Sequence, residues 1–126
     1  MITFEVPGSP IPKARARTLR NGHSYTPKTT EQYEIAIAEA AMVAGVKLKP
    51  GHVGYVLGVR FFISSYFWQK DLSNLKKAAE DGLQRYGKAH FGWDDGQIVG
   101  YTEWTRKVPC AKGEERTVVK LWEALM

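Results

Sequence analysis

The chain has 126 residues, 44% of them hydrophobic and 25% charged, a make-up that fits one globular domain and excludes a disordered or fibrous chain. Apolar stretches such as Val53–Ile63 fall far short of the ~20 residues that span a bilayer, and Glu5 and Pro7 stand where the apolar run of a secretion signal would be. A single cysteine, Cys110, makes no internal disulfide. One soluble domain over residues 1–126, inside the cell and away from membranes, is the expectation. Lysine and arginine outnumber acids 18 to 13, for a net charge of +5. Lys13, Arg15, Arg17, Arg20 and Lys28 lie between Pro7 and Thr30 with no acid among them, while all four aspartates fall between Asp71 and Asp95. A basic arm and an aspartate cluster in one small domain suggest a polyanion held beside a cation.

Ile2–Val6 alternates apolar and polar residues and stops at Pro7-Gly8, which predicts a short strand. Prolines at 10 and 12 then favour an extended arm, with a tight turn at Asn21-Gly22. Thr29 and Gln32 have capping-box spacing. Behind them Tyr33, Ala36, Ile37, Ala40, Ala41 and Ala44 form the stripe of an amphipathic helix that Gly45 stops. Odd positions from Val53 to Ile63 are apolar, the pattern of a strand with one core face. A second helix is predicted from Ser73 to Tyr86, with Leu75, Ala79, Gly82 and Leu83 inward. Strands over 97–107 and 115–122 follow, joined by Pro109-Cys-Ala-Lys-Gly113 with hairpin chemistry. The order β-α-β-α-β-β predicts an α+β fold: a small mixed sheet of about four strands with two helices packed on it.

The segment Lys70-Asp-Leu-Ser-Asn-Leu-Lys-Lys-Ala-Ala-Glu-Asp81 stands where the long strand gives way to the second helix. Asn74, Lys77 and Asp81 share the helix face opposite the apolar one, and Asp71 precedes the helix in an extended stretch. By local spacing alone, Asp71 or Ser73 is an N-cap and Lys77–Asp81 a surface ion pair. Asp94-Asp95 follows an aromatic-rich loop, where paired aspartates are ordinarily solvated turn residues. The alternative joins the two segments: one of the pair folds back beside Asp71, and a divalent cation relieves the repulsion of the carboxylates. Hard oxygen donors suit Mg²⁺ or Mn²⁺, which would serve phosphodiester hydrolysis, with Lys77 supplying positive charge to the transition state.

Asp-x-x-Asn-Leu-x-Lys-x-x-x-Asp from 71 to 81, Trp-Asp-Asp-x-Gln-Ile-Val from 93 to 99, and a basic pair at 106–107 resemble the RusA family of Holliday junction resolvases. Pro-x-Pro-Lys-x-Arg-x-Arg from 10 and Tyr-Thr-Pro-x-x-Thr-x-x-Tyr-Glu from 25 look like its phage and prophage members, and the likeness runs from about residue 7 to 109. The resemblance implies a metal-dependent endonuclease, acting as a homodimer, that makes paired incisions in four-way DNA junctions. It implies Mg²⁺ or Mn²⁺ and no small-molecule cofactor, and the cytoplasm of a bacterial host. By motif Asp71 is the first essential aspartate, Lys77 the lysine and Asp95 the later aspartate. Asn74 matches the asparagine beside the first pair, and Asp94 the neighbour of the catalytic residue. Ser73 stands where the family has the second aspartate of Asp-x-Asp. In an extended stretch 71 and 73 point the same way, so Ser73 takes the missing ligand's place with a poorer donor. A natural variant using water or Asp94 instead, a weakened enzyme and a deliberately inactivated one are all compatible; a natural member that cleaves with weaker metal affinity is the expectation.

Beside the aspartates, Lys13, Arg15 and Arg17 are expected to bind phosphates, with Lys70, Lys76, Arg106 and Lys107 extending the footprint. Neutralising about five phosphates would cost several-hundred-fold in affinity from 50 to 200 mM salt. No helix-turn-helix or zinc-finger spacing is present, so branched DNA is expected to be recognised by shape. His23, His52 and His90 lack ligand spacing, and Cys110 is expected to be structural. Trp93, Trp104 and Trp122 are expected in the core or a dimer interface rather than stacked on bases. The rivals are a non-catalytic branched-DNA binder, its chemistry lost with the second aspartate, and a basic structural subunit.

Overall fold

The alternating N-terminal segment forms strand β1 (Ile2–Pro7) in the computed structural model, with Phe4 and Val6 buried. The structure describes every residue except 15, 16, 19, 26, 51, 52, 66, 67, 95, 125 and 126, and every side chain of the others except those of 17, 18, 24 and 25. Pairing in the arm begins only beyond its prolines, as a ribbon of β2 (Arg17–Thr18) and β3 (Ser24–Tyr25). The ribbon turns at Asn21-Gly22 as expected, with Gly22 at φ +85°. Helix α1 (Lys28–Val43) starts one residue before the expected capping box: Pro27 is the N-cap, no side chain caps it, and Thr29 lies inside the first turn. Tyr33, Ile37 and Ala41 are buried as the stripe requires, whereas Ala44 is exposed and Gly45, at φ +68°, ends the helix.

Strand β4 (Tyr55–Ser64) buries its odd positions from Tyr55 to Ile63. Helix α2 (Leu72–Phe91) runs five residues past the expected Tyr86 and stops at Gly92 in the left-handed region, φ +66°. It crosses α1 closely at Gly82, where a Cβ would lie 2.9 Å from Ile37 Cβ and 3.0 Å from the Glu34 carbonyl oxygen. The strand expected over 97–107 is two strands, β5 (Ile98–Tyr101) and β6 (Arg106–Cys110), separated by a turn in which Thr105 N donates to Thr102 O at 3.1 Å. Both lie parallel to β4 on one edge, β5 against residues 55–57 and β6 against 60–64, so one long strand serves two short ones.

Strand β7 (Arg116–Glu123) runs antiparallel to both β1 and β4 and lies between them. The fold is α+β as expected, with five strands in its mixed sheet rather than about four. The 109–113 segment turns, with Gly113 at φ +93°, but makes no hairpin, because β6 and β7 lie on opposite sides of β4. Phe4, Val6, Leu57, Val59, Phe61, Ile63, Val119 and Leu121 form one apolar sheet face, against which Ile37, Ala41, Leu75, Ala79 and Leu83 of the helices are buried. Each large aliphatic or aromatic side chain buried there contributes about 1.5–3 kcal/mol. No helix among the described residues is long and apolar enough to cross a membrane.

Candidate active site

Asp71 is the N-cap of α2: its backbone is extended (φ −73°, ψ 126°), and its Oδ2 accepts from Asn74 N at 3.3 Å. The helix begins at Leu72, so Ser73 occupies its first turn and the extended alternation expected across 71–73 is absent. Asp71, Ser73 and Asn74 are all exposed. The loop leading into this turn is tied on two sides. Lys107 Nζ donates to the carbonyls of Trp68 (2.8 Å) and Lys70 (3.1 Å) while sitting 4.7 Å from the Trp68 ring centroid. Lys70 Nζ reaches across to the arm, donating to Ser9 Oγ at 2.9 Å and to the Pro10 carbonyl. Burial lowers the pKa of that ammonium, and the charge of Glu115 only partly offsets it.

Lys77 lies on the same helix face as Asn74 and Asp81, as the spacing requires. Its Nζ is 3.2 Å from Asp81 Oδ1 and 3.6 Å from Glu80 Oε2. The other Asp81 oxygen takes Lys13 Nζ at 3.1 Å, and Lys13 also reaches Glu34 Oε2 at 2.8 Å. Glu34, with only 4% of its side chain accessible, completes the lattice through Arg85 Nε at 3.0 Å. Partial burial pulls both lysine ammoniums down, but the hydrogen bonds and charges of these carboxylates outweigh it and raise both pKa values. The Lys13 ammonium thus sits between two carboxylates, and its backbone N donates to Asn74 O at 2.8 Å, pinning the arm along the first turns of α2. Glu34 escaped the sequence argument. The signal was present: it stands three residues before Ile37 and seven before Ala41, on the buried stripe, where a carboxylate must find cations.

The second aspartate pair lies at the other end of α2. Twenty helical residues at 1.5 Å each separate Asp71 from Gly92 by about 30 Å. Beyond Gly92, Trp93 is buried, its Nε1 donating to the Lys49 carbonyl at 3.0 Å and its ring 5.4 Å from that of Tyr55. Asp94 is exposed, with its backbone N bonded to Gln97 Oε1 at 2.9 Å. Asp95 lies outside the described residues, as do Arg15 and His52, and the Arg17 side chain is likewise undescribed. Asp94 does not fold back beside Asp71 within one chain, because the helix between them is rigid and long.

Among the described residues, no three His, Cys, Asp or Glu side chains group to hold a metal. The donors fit a hard dication in kind, being exposed carboxylates at Asp71 and Asp94, but a single chain does not gather them. Lys76 lies 4.7 Å above the Tyr101 ring, and Arg106 is exposed on β6. His90, in the last turn of α2, lies with its ring tilted 50° to that of Tyr86 at 5.1 Å, and Cys110 ends β6 half-buried. Trp93 belongs to the core, whereas Trp104 and Trp122 lie half-buried on the sheet face away from the helices.

The family model for endodeoxyribonuclease RusA matches residues 7–121, from the end of β1 through most of β7. The chain belongs to the RusA endodeoxyribonuclease family. No curated protein matches it significantly. RusA membership implies an endodeoxyribonuclease that resolves Holliday junctions, and so a branched-DNA substrate. The matched span contains the whole pinned arm, both ends of α2 and the loop carrying Asp94.

Proposed function

We propose that this RusA-family chain is a Mg²⁺- or Mn²⁺-dependent endonuclease that makes paired incisions in four-way junctions as a symmetric homodimer. Each metal site would be shared, with Asp71 and Ser73 from one protomer facing Asp95 and Asp94 from its partner. The observation that carries this reading is the length of α2, about 30 Å from Asp71 to Gly92, which leaves Asp94 beyond the opposite end of the helix from Asp71 in one chain. A two-fold axis across antiparallel α2 helices brings opposite ends together twice, matching two sites to two strands. A dication bound by these carboxylates would neutralise phosphate charge and activate water. Lys77, kept protonated by Asp81, would face the negative charge that develops on the phosphate. Asn74, one turn away and anchored to the arm through its carbonyl, would orient Asp71 and the substrate.

The test is complementation between two inactive proteins, Asp71→Asn and Asp95→Asn, mixed and re-annealed on a labelled junction with Mg²⁺. Shared sites leave each heterodimer with one intact centre, so single nicks reappear while paired cuts do not. Sites contained within one chain would yield no cutting from the mixture and refute the arrangement. Ser73 favours a second reading, a binder with weakened chemistry. Ser73→Asp is expected to lower the metal concentration for half-maximal cutting severalfold. Wild-type protein that grips the junction but cuts only after Ser73→Asp would establish the binder.

A further inference from the structure

The sheet has a second face, turned away from both helices. Along β4 and β7 it alternates with the core positions and carries Arg60, Phe62, Arg116 and Lys120, all half-buried. The β4–β6 register places Arg106, which is exposed, directly beside Arg60. Trp104, from the turn before β6, lies down on this face over Gly58. A Cβ at Gly58 would come within 3.2 Å of Trp104 Cε3 and 3.0 Å of Trp122 Cζ3, so glycine is what lets the indoles rest on the sheet.

What holds the cations here differs from the lattice around Lys13. The Arg60 guanidinium sits 4.5 Å from the Trp104 ring centroid and donates from Nε to the Trp104 carbonyl at 3.1 Å. Lys120 Nζ lies 4.4 Å from the same ring, and Arg116 stacks 3.8 Å from Phe62. Only Arg116 has a carboxylate partner, Glu5 at 3.2 Å; among the described residues Arg60, Arg106 and Lys120 have none. A ring fixes a cation in place without neutralising it. Three uncompensated cations on adjacent strands about 5 Å apart therefore repel one another until a polyanion arrives. Because two cations already occupy Trp104, the face suits phosphate rather than a stacked base. A second copy of the chain laid on it face to face would meet the same positive charges.

We propose that this open sheet face is a second nucleic-acid surface, with Arg60 and Lys120 joining Arg106 on the phosphate backbone of a duplex arm. The face is continuous with the candidate active site around the β6 edge. Arg106 turns to the open side, while its neighbour Lys107 turns the other way and clamps the loop before Asp71. The proposal rests on the junction-binding reading of the chain and adds a track to it.

The test measures anisotropy of a labelled four-way junction in EDTA between 50 and 200 mM salt, for wild type, Arg60→Gln/Lys120→Gln and the charge-preserving Arg60→Lys/Lys120→Arg. Loss of two phosphate contacts per protomer reduces the slope of log affinity against log salt by about 1.8 for each protomer engaged, so the fall in affinity over that range shrinks at least about 12-fold. The charge-preserving pair is expected to keep the wild-type slope, separating lost charge from lost folding. An unchanged slope in the Gln pair, beside a steep wild-type slope, would overturn the proposal. Competition by poly-glutamate equal to that by duplex DNA would show an acidic polypeptide site and overturn it too. A wild type with no junction affinity would instead bring down the functional reading on which the proposal stands.

Discussion

Gly87→Ala puts two physical arguments in direct opposition. Gly87 lies inside α2, where alanine is favoured over glycine by about 1 kcal/mol, so helix propensity alone predicts stabilisation. The structure predicts the reverse. A Cβ at this position would fall 2.4 Å from Trp93 Cδ2, 2.5 Å from Cε3 and 2.7 Å from Cγ. The indole has little room to yield: it is 4% exposed, packs on Tyr55, and is bonded through Nε1 to Lys49 O. Overpacking typically costs about 1–3 kcal/mol, and the ceiling is expulsion of the ring, about 3–5 kcal/mol as for Trp→Ala. With contacts this short against a pinned ring the cost falls at the expulsion end, and after the propensity gain the net loss is about 2–4 kcal/mol, or roughly 8–16 °C in Tm for a domain of this size. Thermal melts followed by circular dichroism at fixed protomer concentration measure it. A Tm equal to or above wild type would refute the steric argument. In a double-mutant cycle with Trp93→Leu, the pair should cost less than the sum of the singles.

Three further outcomes are expected. Asp71→Asn keeps the cap of α2 and should leave Tm nearly unchanged while abolishing metal-dependent cutting, whereas Asp71→Ala should lose both, with about 1 kcal/mol of stability; equal melts for the two would remove the cap at Asp71 Oδ2. Glu34→Ala strips a buried carboxylate from two partly hydrated cations and should cost about 2 kcal/mol, below the range for fully buried pairs, and urea unfolding that shows no loss would discount the lattice. Because the folded pKa of Lys13 is raised, its stabilisation is complete below the unfolded value of about 10.4 and is lost as pH rises through the folded one. The Tm gap between wild type and Glu34→Gln should therefore hold from about pH 7 to 9 and narrow above about 10.5; narrowing near pH 8 would show that Lys13 is not the partner.

Periodicity carries β4 and most of α2, because both bury one regular face. It fails at the end of α2, expected at Tyr86, beyond which stand two glycines, Gly87 and Gly92, either with the chemistry of a stop. Only the second is one, since Gly87 is the seat of Trp93 rather than a break. Nothing local could split β5 from β6, because the division is imposed by a ten-residue neighbour long enough to pair with both. The hairpin expected before β7 failed for a similar reason: turn chemistry at Pro109–Gly113 specifies a reversal, not which strand lies alongside afterwards. Of the site, the shared face of Asn74, Lys77 and Asp81 was legible from spacing. The separation of Asp71 from Asp94-Asp95 was missed, although the expected Ser73–Tyr86 helix, about 21 Å long, already stands between them. The role of Lys13 was not legible, because its two carboxylates sit 21 and 68 residues away in the chain.

The position of β7 sets the order in which the molecule can be built. It follows every other strand of the sheet in the chain, yet it lies inside the sheet, joining β1 on one side to β4 on the other. Until residue 123 is available, the first strand has no hydrogen-bonding neighbour and the central strand has one bare edge. Each of those pairings closes a long loop before it yields contact energy, which slows folding. On a ribosome β1 must therefore wait unpaired, and β4 paired on one edge alone with β5 and β6, until β7 has emerged to join the two parts of the sheet.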